Sequence, residues 1–312
     1  MKTLITSLFL FASAVLFSLP AFAANTLVGL TTSGVVYQID TTTGALTQIV
    51  DSPITNFELG ATARKGNVLY YVAAPSGTSE NAIYSVNTTT GLAIFYDLDR
   101  NDDHVTALFF GSGKLHGIFY NPNTGAAGVY RINPITGVTT LVVDLTALAA
   151  EPVGGAISRI GDFYYTLAKP TTDTRQLIRF KLKAGSAKAK NILSSTGTSI
   201  LCDRIKPNFK NGKFVCLASP SSTQVDVCRL GLSGVAQCVG TLTNTERLAS
   251  GHTLMHSGNS FFALVYAPGE PNNQHLLKFT PAGVTKASPT IASGALFVGA
   301  RFGKEEDVIP AG

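Results

Sequence analysis

The chain has no tryptophan, two methionines and four cysteines in 312 residues. Charge is sparse as well: charged residues make up 14% of the chain, with 24 Lys and Arg against 19 Asp and Glu. The densest basic stretch holds Arg179, Lys181, Lys183, Lys188 and Lys190. Its alternation suits the wet face of a strand, whereas a nucleic-acid stripe needs cations clustered with aromatics. Nucleic acid is therefore not expected as a partner. No G-x-S-x-G, H-E-x-x-H, P-loop or G-x-G-x-x-G signature occurs, so the common hydrolase, zincin and nucleotide-binding motifs are missing. Past the first two dozen residues, no run approaches the ~18 apolar residues of a membrane span.

What is present begins with a leader. Lys2 supplies a positive start, residues 4–19 are apolar apart from Thr6, Ser7, Ser13 and Ser18, and Pro20 precedes Ala21-Phe22-Ala23. A basic start, an apolar centre and an A-x-A site read as a secretory signal peptide over 1–23. The remainder, 24–312, is read as one exported domain, periplasmic or extracellular, and not an integral membrane protein after cleavage. Cys202, Cys216, Cys228 and Cys238 all fall in one short segment, and export favours disulfides. C-x-x-C spacing is absent, which argues against a zinc site. Pairing Cys228–Cys238 would close a hairpin, with Cys202–Cys216 as the remaining bridge; Cys216–Cys228 across neighbouring strands competes with it.

A repeat then organises the whole chain. Val36-Tyr37-Gln38-Ile39-Asp40 with Thr43-Gly44 returns as Ile83-Tyr84-Ser85-Val86-Asn87 with Thr90-Gly91, and as Val129-Tyr130-Arg131-Ile132-Asn133 with Thr136-Gly137. Weaker copies end at Gly185, Gly234 and Gly283. The spacing is about 48 residues, and each period carries four short strand signals broken by Gly, Asn and Pro. Such a period describes a blade of a β-propeller. The fold class is thus all-β, a six-bladed propeller of four-stranded blades. The mature chain starts on a second strand at 25–27, and 295–303 matches inner-strand segments such as 60–66. The C-terminal strand is therefore expected to close the first blade, leaving no free edge. The Tyr-x-Ile-Asp…Thr-Gly hairpins resemble those of secreted bacterial six-bladed propellers. That resemblance implies the fold and no particular activity.

Aligning the inner strands on their following turns gives one shared entry position: Asn56, Asp103, Glu151, Cys202, Leu248 and Ser293. The next position holds Phe57, His104, Pro152, Asp203, Ala249 and Gly294, after which come Glu58 in the second blade and Arg204 in the fifth. Asn56, Asp103, Glu151 and Asp203 are expected at the channel mouth, where oxygen ligands suit Ca²⁺. A catalytic version makes Asp103 or Asp203 a base and His104 a proton shuttle beside a metal-polarised lactone or ester carbonyl. Lactonases of the gluconolactonase type hold a divalent ion with Glu, Asn and Asp. The residue types here are similar, though no stretch matches that family's motifs. Glu58, Glu151, Arg204 and His252 join Asn56 as candidate ligand-binding residues. His252 and His256 lie ~13 Å apart on a strand, too far to share one ion.

The leading expectation is a binding protein. Turn-rich connections at 75–81, 121–127, 170–175, 219–224 and 268–274 suit a polar small molecule, a glycan or a protein held by loops on a rigid scaffold. A metal-assisted hydrolase and a structural envelope or matrix protein are the alternatives.

Overall fold

The structure is a computed structural model. It describes residues 26–148, 150–208, 213–221, 223–242, 247–249, 251, 253–257, 260–270, 272–287, 289–291, 296–302 and 308–309, and only the backbone of 26, 55–60, 286–287 and 308–309. The expected leader at 1–23, His252, Ser293 and Gly294 lie outside the described residues.

Six sheets, antiparallel but for one added strand in the fourth, follow one another along the chain. The first blade holds β1 (Thr26–Thr31), β2 (Val35–Asp40) and β3 (Leu46–Asp51). The second holds β4 (Ile54–Lys65), β5 (Val68–Pro75), β6 (Ala82–Asn87) and β7 (Ala93–Asp97). The third holds β8 (His104–Gly111), β9 (Lys114–Tyr120), β10 (Ala127–Ile132) and β11 (Thr139–Asp144). The fourth holds β12 (Glu151–Ile160), β13 (Phe163–Lys169), β14 (Gln176–Lys181) and β15 (Ser186–Asn191). The fifth holds β16 (Cys202–Asn208), β17 (Lys213–Ser221), β18 (Gln224–Leu230) and β19 (Ala236–Thr241). In the sixth, β20 (Arg247–Leu248) and β21 (Leu254–Ser257) share the inner position against β22 (Ser260–Tyr266), followed by β23 (Gln274–Phe279) and β24 (Thr285–Ala287). Finally β25 (Phe297–Phe302) pairs antiparallel with β1 and completes the first blade, as the sequence predicts. The last described pair of residues, β26 (Val308–Ile309), runs parallel to β12, which makes the fourth sheet five-stranded.

The repeated hairpin has a local cause. Asp40 Oδ1 accepts the Thr42 and Thr43 amides at 2.7 and 2.9 Å, and Asn87 Oδ1 does the same for Thr89 and Thr90 at 2.9 and 3.1 Å. These side chains satisfy turn amides that no strand can reach. The glycine that follows takes positive φ, 75° at Gly44, 73° at Gly91 and 71° at Gly137. A Cβ at Gly137 would collide with the Asp97 carbonyl of the preceding blade, so the glycine allows neighbouring blades to touch.

Between successive blades lie six apolar clusters, one at each junction of the ring. Phe109 meets Tyr164 at 5.0 Å across the third and fourth blades, Tyr165 meets Phe214 at 5.0 Å across the fourth and fifth, and Phe262 meets Phe302 at 5.3 Å across the sixth and first. Burying each such ring stabilises the fold by about 2–3 kcal/mol. The disulfides are Cys202–Cys216 and Cys228–Cys238. They staple β16 to β17 and β18 to β19, although Cys216 and Cys228 also sit directly opposite each other. Sequence separations of 14 and 10 give loop-closure stabilisation of about 3 kcal/mol each. Their presence points to an oxidising compartment. Among the described residues no helix is long and apolar enough to cross a membrane.

Polar side chains stitch the inner strands together. Arg301 on β25 donates to the Thr62 carbonyl of the second blade and to the Leu108 carbonyl of the third, the latter at 3.2 Å. Ser158 Oγ donates to the Ile205 carbonyl at 3.2 Å, joining the fourth and fifth blades. Arg64 caps its own hairpin by donating to the Gly66 carbonyl at 3.1 Å. Burial pushes the Arg64 guanidinium down to about 10, because removing water disfavours the charged form.

Candidate functional site at the channel mouth

Each inner strand begins at one end of the ring, here called the mouth. The connections between second and third strands emerge at that same end, because strands alternate in direction. The β4–β5, β8–β9, β12–β13 and β16–β17 registers all shift near the mouth, between Thr55 and Phe57, Val105 and Ala107, Pro152 and Ile157, and Cys202 and Arg204. Bulges of this kind re-aim side chains and gather beside functional sites. In the sixth blade the inner strand is interrupted instead, and Ala249 N donates to Leu264 O at 3.0 Å.

The aligned entry positions do fall at these strand starts: Asp103 and His104 at β8, Glu151 at β12, Cys202 and Asp203 at β16. The backbone of Asn56 and Glu58 lies in β4. Each described carboxylate, however, is already engaged. Asp103 is buried, at 5% exposure. Its Oδ2 accepts both Nε and Nη2 of Arg100 at 2.6 Å, and its Oδ1 accepts Asn121 Nδ2 at 2.9 Å. Arg100 in turn stacks 4.3 Å from the Tyr130 ring centroid. Asp203 Oδ1 accepts Arg175 Nε and Nη2 at 3.1 and 2.9 Å. Glu151 pairs with Lys169 at 3.2 Å, directly across the β12–β13 ladder. A Ca²⁺ site needs ~6–8 oxygens converging on one point. Among the described residues no group of three or more His, Cys, Asp or Glu converges that way. Asp103, Glu151 and Asp203 thus sit in separate ion pairs.

Arg204 proves to be a seam residue. It donates to the Asp203 carbonyl at 2.7 Å, to Thr253 Oγ1 at 3.3 Å and to the Ala249 carbonyl at 3.3 Å, which ties the fifth blade to the sixth. Burial lowers its pKa, and Asp203 opposes the shift. His104 is exposed and lies opposite Tyr120 in the β8–β9 ladder.

The ion pairs organise the loops beside them. Asn121, held by Asp103, also accepts the Asn123 and Thr124 amides on Oδ1, both at 3.0 Å. Asn81 ends the second blade's loop and donates to the Asp103 carbonyl at 3.2 Å. Arg175, held by Asp203, donates to the Thr172 and Thr174 carbonyls at 3.2 and 3.0 Å. Five loops each contain a proline, Pro75, Pro122, Pro170, Pro220 or Pro268, which fixes φ in the free chain. The first blade carries only the short Thr32-Ser33-Gly34 turn there. Exposed tips such as Pro122, Thr124, Thr171 and Thr172 thereby stand on anchored stems. The sequence reading marks Asn121 and Arg175 only as ends of the turn-rich connections at 121–127 and 170–175, and misses Arg100, whose one signal is its place three residues before Asp103.

No protein-family model and no curated protein matches the chain. Solved structures do. TolB from Acinetobacter baumannii superposes with a TM-score of 0.59 at 14% identity, over 88% of this chain and 64% of that one. This chain therefore spans under two thirds of the TolB chain. A chain of a nidogen–laminin complex gives 0.59 at 8% identity, over 88% and 97% of the two chains. The periplasmic gluconolactonase PpgL of Pseudomonas aeruginosa gives 0.58 at 13% identity, over 90% and 99%. At these identities the likeness establishes the six-bladed propeller fold.

Proposed function

We propose that the chain is an exported binding propeller. It recognises a polar ligand, a glycan or a protein partner through the second-to-third-strand loops around the channel mouth. The observation that supports this most is the commitment of the rim acids: Asp103 and Asp203 clamp Asn121 and Arg175, the residues that shape two of those loops. A loop already ordered in the free protein loses less entropy on binding, so its contacts translate more fully into affinity. The two disulfides support an extracellular or periplasmic setting. A structure from a nidogen–laminin complex among the similar folds fits a protein-binding role for this architecture.

Photocrosslinking tests the reading. A photoreactive residue placed at Thr124 or Thr172 is expected to capture one defined partner from the native envelope fraction, and one at Lys190 on the outer strand is expected to capture none. Equal capture from all three positions, or capture only from Lys190, overturns the assignment of the face.

A further inference from the structure

The opposite end of the ring, where inner and second strands meet in tight turns, carries a second feature. Two cavities flank the β8–β9 turn of the third blade. One, of about 500 Å³, is lined by Lys65, Tyr70, Phe110, Lys114 and Arg131. The other, of about 290 Å³, is lined by Ser112, Arg159, Tyr164, Lys181 and Lys183. Six cations thus line the two cavities, and Asp162 is the single acidic lining residue. Both cavities pair a cation with an aromatic face: Lys65 lies 5.3 Å from the Phe110 centroid and Arg159 lies 5.3 Å from that of Tyr164.

The turn between them is held at a conformational cost. Ser112 has φ of 51°, the one left-handed non-glycine among the described residues, at a position where Gly or Asn is the usual occupant. Strained residues of this kind gather at binding and active sites. Lys65 Nζ donates to the Gly113 carbonyl at 3.2 Å and thereby links the second blade to this turn. The cavities are adjacent, like-charged, aromatic-lined and separated by a single tight turn.

We infer that this face binds a linear polyanionic saccharide, a uronate-type chain, with one acidic sugar unit in each cavity. Cations grouped in two cavities on either side of one turn suit charges spaced along a narrow polymer. In the larger cavity the half-buried rings of Tyr70 and Phe110 suit the C–H faces of sugars. An oxidising, exported setting also fits a polysaccharide better than a nucleic acid.

The test is titration calorimetry with a hexauronate at low salt. The expected result is binding that weakens as salt rises and falls at least tenfold in Lys65→Gln/Arg131→Gln and again in Arg159→Gln/Lys183→Gln. Both variants are expected to melt within about 2 °C of the parent, since the cations lie at or near the surface. A neutral hexasaccharide is expected not to bind. Any of four results overturns the inference: no binding of the hexauronate, equal binding by both variants, equal binding of the neutral sugar, or binding to phosphatidylglycerol vesicles in place of the saccharide.

Discussion

Replacing Asp103 with alanine separates a clamp from a catalytic or metal-binding carboxylate by the sign of its effect on stability. A carboxylate kept for chemistry is commonly unfavourable to the fold, so its removal stabilises. Asp103 is instead buried and accepts three donor contacts from Arg100 and Asn121. Hydrogen bonds to a charged group contribute about 1.5–3 kcal/mol each when buried. Arg100 is 31% exposed, and its share shrinks with solvent screening. Alanine would also leave the Asn121 amide without its acceptor. Together these give a loss of about 2–3 kcal/mol, a large part of the ~5–15 kcal/mol of a typical fold, and about 4–6 °C in Tm for a domain of this size. Urea unfolding of Asp103→Ala, Arg100→Ala and the double variant measures it, with a coupling of about 1–2 kcal/mol expected between the two positions. An unchanged or raised midpoint in Asp103→Ala refutes the clamp.

Two further outcomes follow from the channel and the core. Arg301→Met leaves the Thr62 and Leu108 carbonyls without their charged donor, and is expected to cost about 2–4 kcal/mol and to increase proteolysis near the C-terminal strand, read by limited digestion. His116 is buried, and its pKa is lowered to about 4, by burial first and then by Arg131 and Lys114. An unfolded histidine binds its proton near 6.5, so between those values the unfolded state carries more protons and stability falls as pH drops. The loss is about 2–3 kcal/mol from pH 7 to pH 4, and denaturant midpoints should show it flattened in His116→Gln. Below that window the exposed Asp40 and Asp144, whose pKa values are lowered by turn amides, add losses of the same sign.

The blades are readable in the sequence because their turns have backbone reasons. Gly44, Gly91 and Gly137 need positive φ, and Asp40 and Asn87 cap the turns that precede them, so those residue types recur at fixed spacing. Closure by β25 is readable for the same reason: its Arg301 corresponds to Arg64 within a shared inner-strand pattern. The site is readable only in outline. Alignment brings Asp103, Glu151 and Asp203 to strand starts, yet their partners Asn121, Lys169 and Arg175 come from other strands and loops. Bulges beside Val105 and Cys202 leave no compositional trace, because the extra residue can be of almost any type. The disulfide pairing stays open in the sequence since Cys228 faces Cys216 on one side and Cys238 on the other. The cavities at the far end draw cations from three blades, so no local stretch of sequence announces them.

Asp103 and Asp203 anchor loops through Asn121 and Arg175, and on this reading they are not needed as metal ligands. Calorimetric melting of the mature chain in EDTA and in excess Ca²⁺ tests it directly, since an ion that binds only the folded state raises Tm by mass action. Superimposable melts are the expected result. A rise of several degrees in Ca²⁺ that disappears in an Asp103→Ala/Asp203→Ala variant would contradict this and place a bound ion at the mouth.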